Sequence, residues 1–150
     1  MRIVIQRVLE SSVRIDGEVV GAIGRGLMIL CGFCAEDTEE DLLWTSRKAV
    51  ALRIFDDENG VMNLSVKETG GGILCTSQFT LMAATKKGNR PSYIAAAPPD
   101  ISVPLYERFK TLLSAELGQE IACGRFGADM KVSLINDGPV TIYIDSKNKF

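Results

Sequence analysis

The chain has 150 residues, 46% of them hydrophobic and 24% charged, with a net charge of −2 and a pI near 5.2. These values fit one domain, residues 1–150, with a buried core; they exclude a disordered chain, and no segment has the roughly 20 apolar residues that a membrane-crossing helix needs. Net acidity argues against a long nucleic-acid footprint, since phosphate contacts demand basic surface, but it permits a few nucleotides held at one end of an RNA.

Residues 3–8 read as a β-rich run that breaks early on Gln6 and Arg7, so no secretory signal is read there and a cytoplasmic location is expected. Residues 12–15 and 19–23 flank Asp16-Gly17, a strong hairpin signal. Residues 27–33 form an almost continuous apolar run, expected as a strand buried on both faces. Thr38 followed by Glu39, Glu40 and Asp41 reads as the capped start of a helix, with Leu42, Leu43, Ala49, Val50 and Leu52 on its apolar stripe.

Residues 56–60 predict a loop or hairpin turn, and residues 70–72 break the chain before a strand at 73–82. Lys86 to Pro91 is a basic, turn-rich loop. Pro98-Pro99-Asp100 leads into a second helix with Leu105, Phe109, Leu112, Leu113 and Leu117 on one face and Gly118 as its C-cap. Two closing strands are expected near 129–136 and 140–145. The fold class is therefore α+β: a mostly antiparallel, barrel-like sheet with two main helices in a single domain.

The chain contains no histidine. That removes Ser-His and Cys-His nucleophiles, His-bearing metal sites and the commonest general base near neutral pH. Cys31 and Cys34 make a lone C-x-x-C, while Cys75 and Cys123 stand apart. The set is expected to be buried core thiols rather than a metal or redox site, and neither metal nor cofactor is expected.

Three places could carry chemistry. In the strand at 73–82, alternation puts Ser77 and Phe79 on one face and Gln78 and Thr80 on the other, with Phe79 directed into the core. An amide beside a hydroxyl could hold a carbonyl or a water; a merely solvated strand face has the same pattern. Gly138-Pro139 lies between the closing strands, either as a simple turn or as a rigid piece of backbone that a ligand can approach closely. Arg7 shares a strand face with Ile3 and Ile5, either solvated at a strand end or held in a polar network that buttresses a loop. The loop at 86–90 is either solvated surface or a phosphate contact.

Ser77-Gln78-Phe79-Thr80-Leu81 and Asn136-Asp137-Gly138-Pro139-Val140-Thr141 resemble the two signature motifs of the D-aminoacyl-tRNA deacylase family. The opening Ile5-Gln6-Arg7-Val8, the block Gly88-Asn89-Arg90-Pro91-Ser92 and the run from Gly124 to Met130 match as well, in the expected order. The resemblance implies a homodimeric enzyme that hydrolyses the ester of a D-amino acid, or of mischarged glycine, on the acceptor end of tRNA. It implies that Gly138 and Pro139, joined by a cis peptide, enter the partner's pocket around Ser77 to Thr80 and leave no room for an L side chain. It assigns Gln78, Phe79 and Thr80 to catalysis, chiefly through main-chain groups helped by the 2′-hydroxyl of the terminal adenosine. Thr80 as a nucleophile is the alternative. Arg7 would hold the inserted dipeptide, and Phe126 and Met130 would line the adenine pocket.

Two rival readings stay open. One is a nucleic-acid-binding protein on the same dimeric scaffold, since a member of the family has been linked to DNA-replication origins; the other is a general esterase with no need for tRNA.

Overall fold

The computed structural model describes all residues, Met1–Phe150. Its spine is β1 (Arg2–Ile15), a single 14-residue strand that pairs on one edge with β2 (Glu18–Ile23) and β3 (Gly26–Gly32). The Asp16-Gly17 signal made the first hairpin: both residues have positive φ, 49° and 81°, as the turn between two right-twisted strands requires. The predicted breaks between residues 3–8 and 12–15 are absent, because β1 changes partner midway while the other edge stays paired throughout.

Helix α1 (Glu39–Ala51) begins where Thr38 accepts a hydrogen bond from the Asp41 N–H and the Asp41 carboxylate accepts one from the Thr38 N–H. After a small hairpin of β4 (Phe55–Asp56) and β5 (Met62–Leu64), β6 (Gly72–Ser77) adds to β3 in parallel. Helix α2 (Pro99–Leu117) ends at Gly118, whose φ of 83° stops the helix. The short β7 (Ala122–Cys123) pairs in parallel with β6 and lies against β2, so the mixed sheet nearly closes into a barrel. The last strand, β8 (Lys131–Asp145), runs antiparallel to β1 along almost its whole length.

Two cores result. Outside the barrel, α1 and α2 cover the face that carries Ile3, Ile5, Leu27, Ile29, Ile73 and Cys75, with Phe55, Tyr106 and Phe109 fully buried between them. Inside it, Val8, Val13, Ile15, Met28 and Leu74 pack together. Strand β3 is buried on both faces because it feeds both clusters, as its unbroken apolar run predicted.

The sequence reading is corrected in three further places. Instead of continuing to residue 82, β6 stops at Ser77, and Phe79–Met82 is a 3₁₀ turn. The two closing strands are one strand carrying a bulge. Only Cys31 and Cys75 are buried thiols, while Cys34 and Cys123 are half-buried.

Candidate active site

The end of β6 builds the site. Gln78 leaves the extended conformation (φ −148°, ψ 81°), and its N–H still donates to Cys31 of β3 at 2.7 Å. The chain then coils, with Leu81 N–H donating to the Gln78 carbonyl and Ala83 N–H to the Thr80 carbonyl. Gly32 makes the coil possible: a Cβ there would lie 2.7 Å from the Gln78 carbonyl oxygen and 3.2 Å from Leu81 Cβ. The first N–H groups of such a turn have no partner within it, and those of Phe79 and Thr80 donate to no other part of the chain.

Consequently Phe79 is not a core residue. It is 56% exposed, and its ring meets Tyr93 edge-on at 5.1 Å between centroids. Gln78 and Thr80 do lie side by side, but through the coil rather than through strand alternation: Gln78 Nε2 donates to Thr80 Oγ1 at 2.5 Å.

A cleft of about 290 Å³ opens here between Ser77, Gln78 and Phe79 on one wall and Phe126, Gly127, Ala128, Asp129 and Met130 on the other. A more apolar hollow of about 330 Å³, shared through Ser77, Phe79 and Phe126, continues toward Phe33, Ala97 and Pro99. Phe126 is backed by the ring of Tyr106 at 5.9 Å, and the Tyr106 hydroxyl donates to the Cys75 carbonyl at 3.1 Å. Met130 reaches from the cleft toward the barrel core. The structure thus gathers five candidate residues, Ser77, Gln78, Phe79, Phe126 and Met130. The Thr80 hydroxyl turns aside to Gln78 and does not line the cleft.

Arg7, Gly138 and Pro139 form a second assembly. Between the pairs Gln6–Thr141 and Val8–Asn136, β8 bulges outward opposite Arg7. Arg7 is 6% exposed; its Nε donates to the Asp137 carbonyl at 2.9 Å and its Nη1 to the Ile54 carbonyl at 2.7 Å, with Asp56 and Asp137 carboxylates at 3.4 and 3.5 Å. The Asn136 side chain closes the neck, accepting from the Val140 N–H at 2.8 Å and donating to Thr141 Oγ1 at 3.0 Å. At the tip Gly138 has φ 140°, where a Cβ would lie 2.8 Å from Val140 Cγ2, so only glycine fits without strain. The Gly138–Pro139 peptide is cis, and both residues are exposed.

This bulge does not line the cleft of its own chain. Val132 of β8 does, and six residues further along a strand is on the order of 20 Å. The outer edge of β8 is unpaired, and Leu9, Val132, Ile135 and Tyr143 are exposed on the two neighbouring strands. Long open edges with apolar side chains are where a second chain pairs.

The one titratable side chain on the cleft wall is Asp129, whose carboxylate is 84% exposed and paired with Lys131 at 2.8 Å. Behind the cleft, burial pushes the Cys31 thiol well above its ordinary range, and the Cys75 sulfur at 3.7 Å adds to the effect. Burial, then the neighbouring Cys75, likewise raises Tyr106. These groups stay neutral and supply no base. What the cleft presents is an aromatic and thioether wall, a serine hydroxyl and free main-chain donors, a set suited to hold a flat ring and to meet a carbonyl oxygen. Reading the sequence missed Tyr93, which does not stand out by spacing, and it quoted Asn136 within the second motif without giving it a role.

The sequence profile described as D-Tyr-tRNA(Tyr) deacylase matches residues 4–145. A protein of Bacteroides thetaiotaomicron named D-aminoacyl-tRNA deacylase is 63% identical over 99% of both chains. Among solved structures, one titled c-Myc DNA unwinding element binding protein superimposes with a TM-score of 0.90 at 42% identity, covering 97% of this chain and 98% of the other. Another, described as a probable eukaryotic D-amino acid tRNA deacylase, shares the fold with a TM-score of 0.83 at 18% identity, covering 95% of this chain and 97% of the other. With a profile match over nearly its whole length and such a relative beside it, the chain belongs to the D-Tyr-tRNA(Tyr) deacylase family.

Proposed function

We propose that this protein hydrolyses the ester between a D-amino acid and the terminal adenosine of tRNA, acting as a homodimer whose sites each need both chains. The observation that carries the reading is the separation of two parts that each lack a complement. The cleft beside Ser77 to Phe79 is open, and the bulge at Gly138–Pro139 points outward from an unpaired edge. Two-fold pairing is self-complementary, so a bulge that enters the partner's cleft completes both sites at once.

In the completed site the adenine lies against Phe126 and Met130. Backbone carbonyls of the partner's Gly138 and Pro139 receive the substrate amino group. A rigid main-chain wall then occupies the space an L side chain would need, so selection works by exclusion. Glycine, having no side chain, passes the same filter, which makes glycyl-tRNA a second substrate.

The N–H groups of Phe79 and Thr80 meet the ester oxygen as negative charge develops on it, and such main-chain donors stabilise the transition state without a titrating residue. The ribose 2′-hydroxyl helps to orient the attacking water. Thr80 is not the nucleophile in this scheme: its hydroxyl is engaged by Gln78, and the chain has no histidine to activate it.

The test is parallel incubation with D-Tyr-tRNA and L-Tyr-tRNA. Release from the D ester alone supports the reading, and equal release from both would leave a plain esterase. A DNA-binding role is favoured by one observation, the name of the 42% identical structural relative. Release from neither ester, with salt-sensitive binding to duplex DNA, would establish that role instead.

A further inference from the structure

The chain's charge is unevenly placed. Between Glu68 and Asp100 there is no acidic residue, and this stretch contains Lys86, Lys87 and Arg90. It carries +3 in a chain of net −2, which leaves −5 for the remainder. All three basic side chains are exposed. None takes part in the protein's ion pairs; Arg14, Arg25, Lys48, Arg53, Lys67, Arg125 and Lys149 have none either, and what sets the three apart is the absence of any acidic residue from their stretch.

Structure fixes where this charge sits. Two residues after the 3₁₀ turn, Ala84 pairs with Ser92 through reciprocal backbone hydrogen bonds of 2.8 and 3.0 Å, which close residues 84–92 into a small hairpin. The next residue, Tyr93, packs on Phe79, which lines the cleft. Gly88, at φ 65°, turns the tip. The hairpin therefore leaves directly from the mouth of the cleft, and it holds unpaired positive charge on an otherwise acidic molecule.

We infer that the hairpin at residues 84–92 is a phosphate-gripping arm that holds the tRNA backbone just before the terminal adenosine, with Lys86, Lys87 and Arg90 on successive phosphates. The inference rests on the reading of the cleft as the site of the aminoacyl ester. It also explains how an acidic protein binds an RNA: the basic footprint is confined to the few nucleotides that adjoin the site. Lysine and arginine at exposed positions give phosphate contacts that add affinity without touching the chemistry.

The experiment compares the wild type with a Lys86→Gln, Lys87→Gln, Arg90→Gln variant on two esters, D-Tyr-tRNA and D-Tyr-adenosine, the second having no phosphate. The variant is expected to raise KM for D-Tyr-tRNA by roughly 10- to 100-fold with kcat kept, as loss of uniform binding does. The slope of log(kcat/KM) against log[salt] should flatten by about 2–3. The tRNA-specific penalty is the deciding signature: D-Tyr-adenosine should show none. An unchanged KM for D-Tyr-tRNA would overturn the proposal, and so would an equal loss on both esters, which would mean that the hairpin merely shapes the cleft. If the wild type cleaves neither ester, the cleft reading itself fails and takes the arm with it. Preferential binding of duplex DNA over tRNA, lost in the variant, would assign the arm to DNA instead.

Discussion

Arg7 is the residue through which the fold controls the bulge, and its replacement by leucine gives the sharpest mutational consequence. Leucine keeps part of the aliphatic packing beside Ile5 but leaves the carbonyls of Asp137 and Ile54 without their donors. The Ile54 bond is buried, and an unsatisfied buried acceptor costs about 1–3 kcal/mol; the Asp137 bond is only part-buried, so its loss costs about 0.5–1.5 kcal/mol, as an ordinary hydrogen bond does. The carboxylates of Asp56 and Asp137, 48% and 30% exposed, are screened by water, so losing those pairs adds only about 0–1 kcal/mol each. Arg7→Leu should therefore lose about 2–6 kcal/mol of stability, a large part of the roughly 5–15 kcal/mol typical of a domain. The bulge would lose its floor, and a displacement near 1 Å lowers turnover about 100-fold. Arg7→Lys keeps the charge but has no fork to span both carbonyls, so it should fall between the two in stability while remaining poorly active. Urea unfolding and D-Tyr-tRNA deacylation measure the two effects. A leucine variant as stable and as active as the wild type would refute the buttress, and full rescue by lysine would reduce it to a charge effect.

Thr80→Val should keep hydrolysis of D-Tyr-tRNA within about tenfold of the wild type, since it removes only the hydrogen bond from Gln78; a loss of several thousandfold would make the hydroxyl the nucleophile. Gly32→Ala should lower kcat far more than KM and cost about 1–3 kcal/mol, because its Cβ meets the Gln78 carbonyl and pushes the donor turn out of place. Acid should weaken the protein through Asp41. Burial raises its pKa, but hydrogen bonds from Lys147 and Thr38 outweigh that and hold it well below the ordinary carboxylate range. A depressed folded-state pKa contributes stability that is complete above about pH 5 and is lost as pH falls below about 4. Melting temperature should drop across that window, and Asp41→Asn should make the drop shallower.

The sequence revealed what depends on local chemistry. Thr38 with Asp41, Gly118 and Asp16-Gly17 each mark a cap or turn through an interaction between near neighbours, and all three form as read. The apolar run at 27–33 announced a strand buried on both sides. Phe79 misled because alternation assumes that a strand continues. A close approach between Gly32 and the Gln78 carbonyl, 46 residues apart, favours the coil instead and sends the ring outward. Continuity of β8 was hidden for a related reason: Gly138-Pro139 reads locally as a turn, and only pairing with β1 on both sides of the bulge makes one strand of it. Arg7 gave no local sign of its role, since its partners Ile54, Asp56 and Asp137 are distant in sequence. The candidate site was therefore legible as a set of motifs, while the way the motifs divide between a cleft and a bulge required the fold.

The most direct test of a site shared between two chains is complementation. Gly138→Val spoils the bulge and leaves the cleft intact, whereas Ser77→Trp fills the cleft and leaves the bulge intact. Each variant alone should be inactive on D-Tyr-tRNA while melting as a folded protein. Unfolded together and refolded in equal amounts, they should regain roughly a quarter of wild-type activity, since half the dimers are hybrids with one complete site. Mixtures that stay inactive, although hybrid dimers form, would contradict the shared site.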